Sequence, residues 1–177
     1  MSTFIQKVIA GIEGCSETSD SVSKKDLSSY MRVLEIHSIV IEKTKRMIRD
    51  VYEKKKSISI LNLVPQYNCH VIASTYVDIL NSENHDVILT HGVVPGISDD
   101  RKSKYCKHSW ITTKDNSIIE SWPTGALFAC PLIYPKGSYR SPFGANLYIP
   151  NETNEDSILL DPAITKRIKL LKDLILS

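Results

Sequence analysis

No stretch of about 18 apolar residues occurs in the chain, so no segment is expected to cross a bilayer as a helix. Charge of one sign is also missing. The 22 Lys and Arg residues are nearly balanced by 20 Asp and Glu, and the net +2 supplies no electrostatic footprint for nucleic acid or an anionic membrane. Nucleic acid is not expected as a partner. The N-terminus, Met1 to Ile12, has no compact signal-peptide core with a small-residue cleavage site. The expectation is synthesis and folding in a cytoplasm, with export by a route without a cleaved signal left open. Cysteine is sparse, at four residues: Cys15, Cys69, Cys106 and Cys130. Without a secretory signal they are expected to stay reduced. They are too far apart to form the C-x₂₋₄-C pair of a structural zinc site, so no metal and no other cofactor is expected. No internal repeat is present.

What remains is an ordinary globular composition, 42% apolar and 24% charged, in a chain of 177 residues that fits a single domain, 1–177. Within it, 1–25 reads as a short helix (2–12) followed by a mobile Ser-rich linker, and 26–177 as an α+β core. Ser23, three residues before Asp26, is placed to cap a long helix over about 26–55. Leu27, Tyr30, Met31, Leu34, Ile41, Ile48, Val51 and Tyr52 recur there at helical spacing. Lys54, Lys55 and Lys56 complement the dipole at its end. Strands are expected at 57–64, 86–94, 107–113 and 117–122, with a polar loop at 95–104 and two short strands within the Pro- and Gly-rich stretch 123–150. A second helix opens at Cys69 and fades at Asn81–Asn84. A third starts at Asp161-Pro162, a cap followed by a first-turn proline. The architecture these pieces suggest is a central antiparallel sheet of four to six strands. The Cys69 helix packs on it, and the long and C-terminal helices lie outside.

The chemistry-bearing residues fall on three of these elements. A cysteine is nucleophilic as its thiolate, which a helix N-terminus and a neighbouring imidazolium both favour, and Cys69 stands at a helix start. The unpaired amides of that first turn can hold an oxyanion, and Gln66 or Tyr67 just upstream could add a side-chain donor. His108 opens one strand of a hairpin and Glu120 lies on the return strand. Two registers are possible. If Asp115 and Asn116 alone form the turn, His108 faces Pro123 and Glu120 turns to the other side of the sheet. If the loop is Lys114–Asn116, His108 stands opposite Trp122 and Glu120 opposite Trp110, with all four on one face. Only the second register lets Glu120 accept a hydrogen bond from His108 and fix its tautomer. Trp110 and Trp122 would then pack beside the site and keep it dry.

Asn-Cys-x₄-Ser on a helix, then His-x-Trp-Ile, then Ile-Ile-Glu-Ser-Trp, is a pattern that resembles the papain-like cysteine hydrolases over about residues 65–125. The helix-first order and the twelve-residue step from His108 to Glu120 resemble the NlpC/P60 branch. The Glu-Ser-Trp segment and the Ser-rich N-terminal region resemble small papain-fold effectors that Gram-negative pathogens inject into host cells. The resemblance implies Cys69 as nucleophile, His108 as general base and Glu120 as orienting acid. It also implies a thiol hydrolase acting on an amide bond of a protein or peptide substrate, as a peptidase, amidase or glutamine deamidase. An acyltransferase of the same fold and a non-catalytic protein-interaction domain are the alternatives.

Overall fold

A computed structural model describes residues 22–53, 67–97, 103–123, 127–138, 147–151 and 161–177. The expected helix at 2–12, most of the linker, the strand at 57–64, the Lys54–Lys56 run and Gln66 lie outside the described residues. Three helices and a five-stranded sheet are seen: α1 (Lys24–Glu53), α2 (Cys69–Ser82), β1 (Val87–Ile97), β2 (Ser103–Thr113), β3 (Ile118–Glu120), β4 (Leu132–Tyr134), β5 (Ile149–Pro150) and α3 (Pro162–Leu176). The sheet order is β4-β3-β2-β1-β5 with every pairing antiparallel, so the chain is α+β.

Each helix starts where a side chain satisfies its first-turn amides. Ser23 Oγ accepts from the Asp26 amide at 3.0 Å, and Asn68 Oδ1 accepts from Val71 at 2.9 Å. Asp161 Oδ1 accepts from Ala163 at 2.8 Å, with Pro162 in the first turn. The apolar stripe of α1 differs from the one expected. Its buried part runs from Asp26 to Thr44 and centres on Val33, Ile36, His37 and Val40, whereas Tyr52 is 83% exposed. Beyond Thr44 no described residue of α1 is buried: Ile48 and Val51 are half-buried and Tyr52 lies in solvent. Helix α2 is buried nearly all round, from Val71 to Val77 and again at Ile79 and Leu80, because it touches β1, β2, α1 and α3. Burying each of its large aliphatic side chains contributes roughly 1.5–3 kcal/mol.

The segment 95–104, expected as a loop, is shorter than that. The β1–β2 ladder extends from Val87↔Thr113 to Ile97↔Ser103. Pro95 is tolerated because the β5 pairing ends at Val93, so that among the described strands only β2 lies beside it. The next connection decides the site. Ile111 pairs with Ile119 and Thr112 with Ile118, the register of the three-residue loop Lys114–Asn116. Asn116 adopts φ 63°, the left-handed residue that closes such a loop, and Thr113 N–H bonds Ser117 O at 3.0 Å. Alternation then sends Ile111 and Ile119 into the core shared with the helices, while Trp110 and Ile118 form a second cluster with Tyr148.

Candidate active site

Cys69 is the first residue of α2, held there by the Asn68 cap. The Asn68 side chain takes the Val71 amide and its carbonyl takes that of Ile72. The amides of Cys69 and His70 are the ones a helix start leaves without intrahelical carbonyl partners. The thiol is partly buried, and it interacts with two imidazoles, His108 and His70. Burial pushes the thiol up, but hydrogen bonding to His108 and then to His70 outweighs it and brings the pKa down to about 6. Cys130 shows the opposite balance, since burial raises its thiol.

His108 is 9% exposed, and its Nε2 lies 2.6 Å from Glu120 Oε2. Burial alone would disfavour the imidazolium. Hydrogen bonds to Cys69 and Glu120 reverse this and raise His108 to about 9. With Nε2–H committed to the carboxylate, Nδ1 is the nitrogen left for the thiol. Glu120, 4% exposed, is fully engaged: Oε2 also accepts from the Tyr148 hydroxyl at 2.9 Å, and Oε1 from the Trp122 amide at 2.7 Å. Burial and the adjacent Glu120 charge push the Tyr148 phenol well above its ordinary range, so it remains a donor.

Cys69, His108 and Glu120 are therefore brought together, and Trp110 stacks beside His108 with ring centroids 6.3 Å apart. Trp122 does not join them on that face. Strand β3 ends at Glu120, whose own carboxylate captures the Trp122 amide, and the turned chain sends the indole into the helix-side core. Tyr67, offered as an oxyanion donor, is 7% exposed within that same core.

Two contributions were not read from the sequence. Tyr148 comes from just before β5, at the far edge of the sheet, and completes an aromatic wall with Trp110 (5.2 Å, edge-on) and Tyr134 (5.7 Å). It can lie there because β1 presents Gly92 at that point. A Cβ on Gly92 would stand 2.1 Å from the Ile149 carbonyl oxygen and 2.6 Å from the Trp110 ring. His70 is the second: its Nδ1 meets Ser109 Oγ, which also meets Nδ1 of His91. The Cys-His dipeptide at the helix start was the only signal for it. Among the described residues, no group of three or more His, Cys, Asp or Glu is arranged to hold a metal ion. No protein-family model, curated protein or solved structure matches the chain.

Proposed function

We propose that the protein is a papain-like cysteine hydrolase that cleaves an amide bond of a protein or peptide. The observation that carries the reading is the ordered series of Cys69 at a helix N-terminus, His108 interacting with its sulfur, and Glu120 at 2.6 Å on the far nitrogen of that histidine. Between pH of about 6 and about 9 this pair exists as thiolate and imidazolium. The thiolate attacks the carbonyl carbon, and the oxygen that gains charge is held by the amides at the start of α2. His108 gives its Nδ1 proton to the departing amine nitrogen, the C–N bond breaks, and a thioester on Cys69 remains. Neutral His108 then takes a proton from water as it attacks the thioester. A carboxylic acid product and the free thiol leave the cycle closed.

Peptide-mapped iodoacetamide labelling across pH 5–9, on wild type and His108→Ala, tests this directly. Cys69 is expected to label with an apparent pKa near 6, well ahead of Cys106 and Cys130, and to lose that lead in His108→Ala. Equal labelling of the cysteines at neutral pH would rule the reading out. An acyltransferase would pass the labelling test and be distinguished by transfer of the acyl group to an added amine in preference to water.

A further inference from the structure

The Cys69 thiol interacts with two histidines, and only His108 is used in the mechanism above. His70 is backed by a chain of its own: Nδ1 of His70 and Nδ1 of His91 both lie 2.5 Å from Ser109 Oγ. The two rings are 6.0 Å apart at 53°, and Ser109 is completely buried between α2, which carries His70, and β1, which carries His91. A serine hydroxyl has one proton and can donate to only one of two neighbours; the other must donate to it. The direction of the chain is thereby fixed by the imidazole that commits its proton to the Cys69 sulfur.

His70 is that imidazole. Its remaining nitrogen, Nε2, is the one available to the Cys69 sulfur, and a thiolate there accepts a hydrogen bond. From this geometry we infer that His70 is a second catalytic histidine, which donates Nε2–H to the Cys69 thiolate and is oriented by a proton-ordered chain running His91 Nδ1–H to Ser109 Oγ–H to His70 Nδ1. The groups facing the sulfur are then His70 from α2 and His108 from β2, with Glu120 of β3 and Tyr148 behind His108, and Ser109 of β2 and His91 of β1 behind His70. The division of labour is physical. His108, tied to a carboxylate, carries the proton that is transferred to the leaving group. His70, tied to the Ser109 hydroxyl, holds the sulfur by donating a hydrogen bond to it. Ser109 is a positioning residue, since it acts only through His70.

This inference rests on the cysteine-hydrolase reading, and its test separates the two. The labelling profile of Cys69 is measured in wild type, His108→Ala, His70→Ala, His70→Gln and Ser109→Ala, together with nitrogen-15 NMR of the histidine rings at pH 7.5. His70→Ala is expected to raise the apparent pKa of Cys69 by about one unit, lowering labelling about tenfold at pH 5.5 and leaving it unchanged at pH 9.5. His70→Gln, which keeps an N–H donor, restores part of the shift, and Ser109→Ala reproduces a smaller part of it. The NMR spectrum should show His70 protonated at Nε2 and His91 at Nδ1. If wild-type Cys69 shows no selective labelling, the hydrolase reading falls and this inference with it. If His108→Ala removes the selectivity while His70→Ala and Ser109→Ala overlay wild type, only the second histidine is rejected. A His70 ring protonated at Nδ1 alone rejects it as well, whether or not either variant folds.

Discussion

Glu120 is where the fold and the chemistry meet in one side chain. Its two oxygens receive three hydrogen bonds, from His108, Tyr148 and the Trp122 amide, in a setting where any one left unmade would be costly. Glu120→Gln keeps the shape but removes the charge that favours the imidazolium. Turnover of an amide substrate should fall by roughly 10²- to 10⁴-fold, the range in which loss of an orienting acid acts. The basic limb of the pH–rate profile should move down from about 9, because His108 loses a cause of its raised pKa. Tyr148→Phe removes a single donor and should cost about tenfold or less, corresponding to about 1 kcal/mol for one hydrogen bond. In wild type the profile should be bell-shaped, rising through about 6 as Cys69 ionises and falling through about 9 as His108 loses its proton.

At the scale of elements, two local devices place Cys69 and Glu120. The first is the Asn68 cap. Asn68→Ala should lower stability by about 1 kcal/mol in urea titration, and it should loosen the first turn on which Cys69 stands. The second is the loop between β2 and β3. Asn116 sits in the left-handed region at φ 63°, where a β-branched residue is disfavoured. Asn116→Val is therefore expected to cost about 1–2 kcal/mol, whereas Asn116→Gly should be nearly neutral. The same pair of variants tests register. A one-residue slip would turn Glu120 away from His108 and abolish selective labelling of Cys69. Packing between helices adds a third device, since His37 of α1 bonds Tyr76 of α2 at 2.7 Å and the Ala129 carbonyl at 3.0 Å. The carbonyl requires a proton on Nε2; in the neutral ring Nδ1 then accepts from the tyrosine hydroxyl. Burial lowers the pKa of His37 accordingly, and stability should decline as pH falls below the ordinary imidazole value of 6.5.

At the scale of the whole molecule, the site depends on segments far apart in the chain closing over one face of the sheet. Gly92 is the point of closest approach. Gly92→Ala would drive a methyl group into the Ile149 carbonyl and the Trp110 ring, and a stability loss of about 1–3 kcal/mol is expected from overpacking. Loss of selective Cys69 labelling should accompany it, because Tyr148 and Trp110 flank His108. The thiolate–imidazolium pair also contributes to global stability. The depressed thiol contributes above about 6, and its contribution is lost as pH falls through that value. The raised imidazole contributes below about 9, and its contribution is lost as pH rises through that value. Between about 6.5 and 9 folding moves a proton from thiol to imidazole with no net uptake, so the pair's contribution is flat there. Chemical denaturation should show the excess of wild type over Cys69→Ser shrinking as pH falls through about 6.

Periodicity and local chemistry were enough to read the helix starts at Ser23, Asn68 and Asp161, the hairpin around Lys114–Asn116, and the α+β class, because capping and turn formation involve residues within a few positions of one another. The same local logic paired His108 with Glu120 once the loop length was chosen, but it could not choose the loop, which required the left-handed conformation of Asn116. It failed where distant elements decide. Ile48 and Val51, expected on the buried stripe of α1, are only partly covered and Tyr52 is exposed. Trp122 left the expected face when Glu120 captured its amide. Tyr148 reached Glu120 from 28 residues away, through a gap that only a glycine on a neighbouring strand leaves open. The pairing of His70 with His91 through Ser109 joins a helix to two strands. Sequence by itself thus pointed to the side chains on which the proposed chemistry rests. Tertiary packing decided which of them share a face, because burial and hydrogen bonding across strands depend on register and closure, which no local pattern contains.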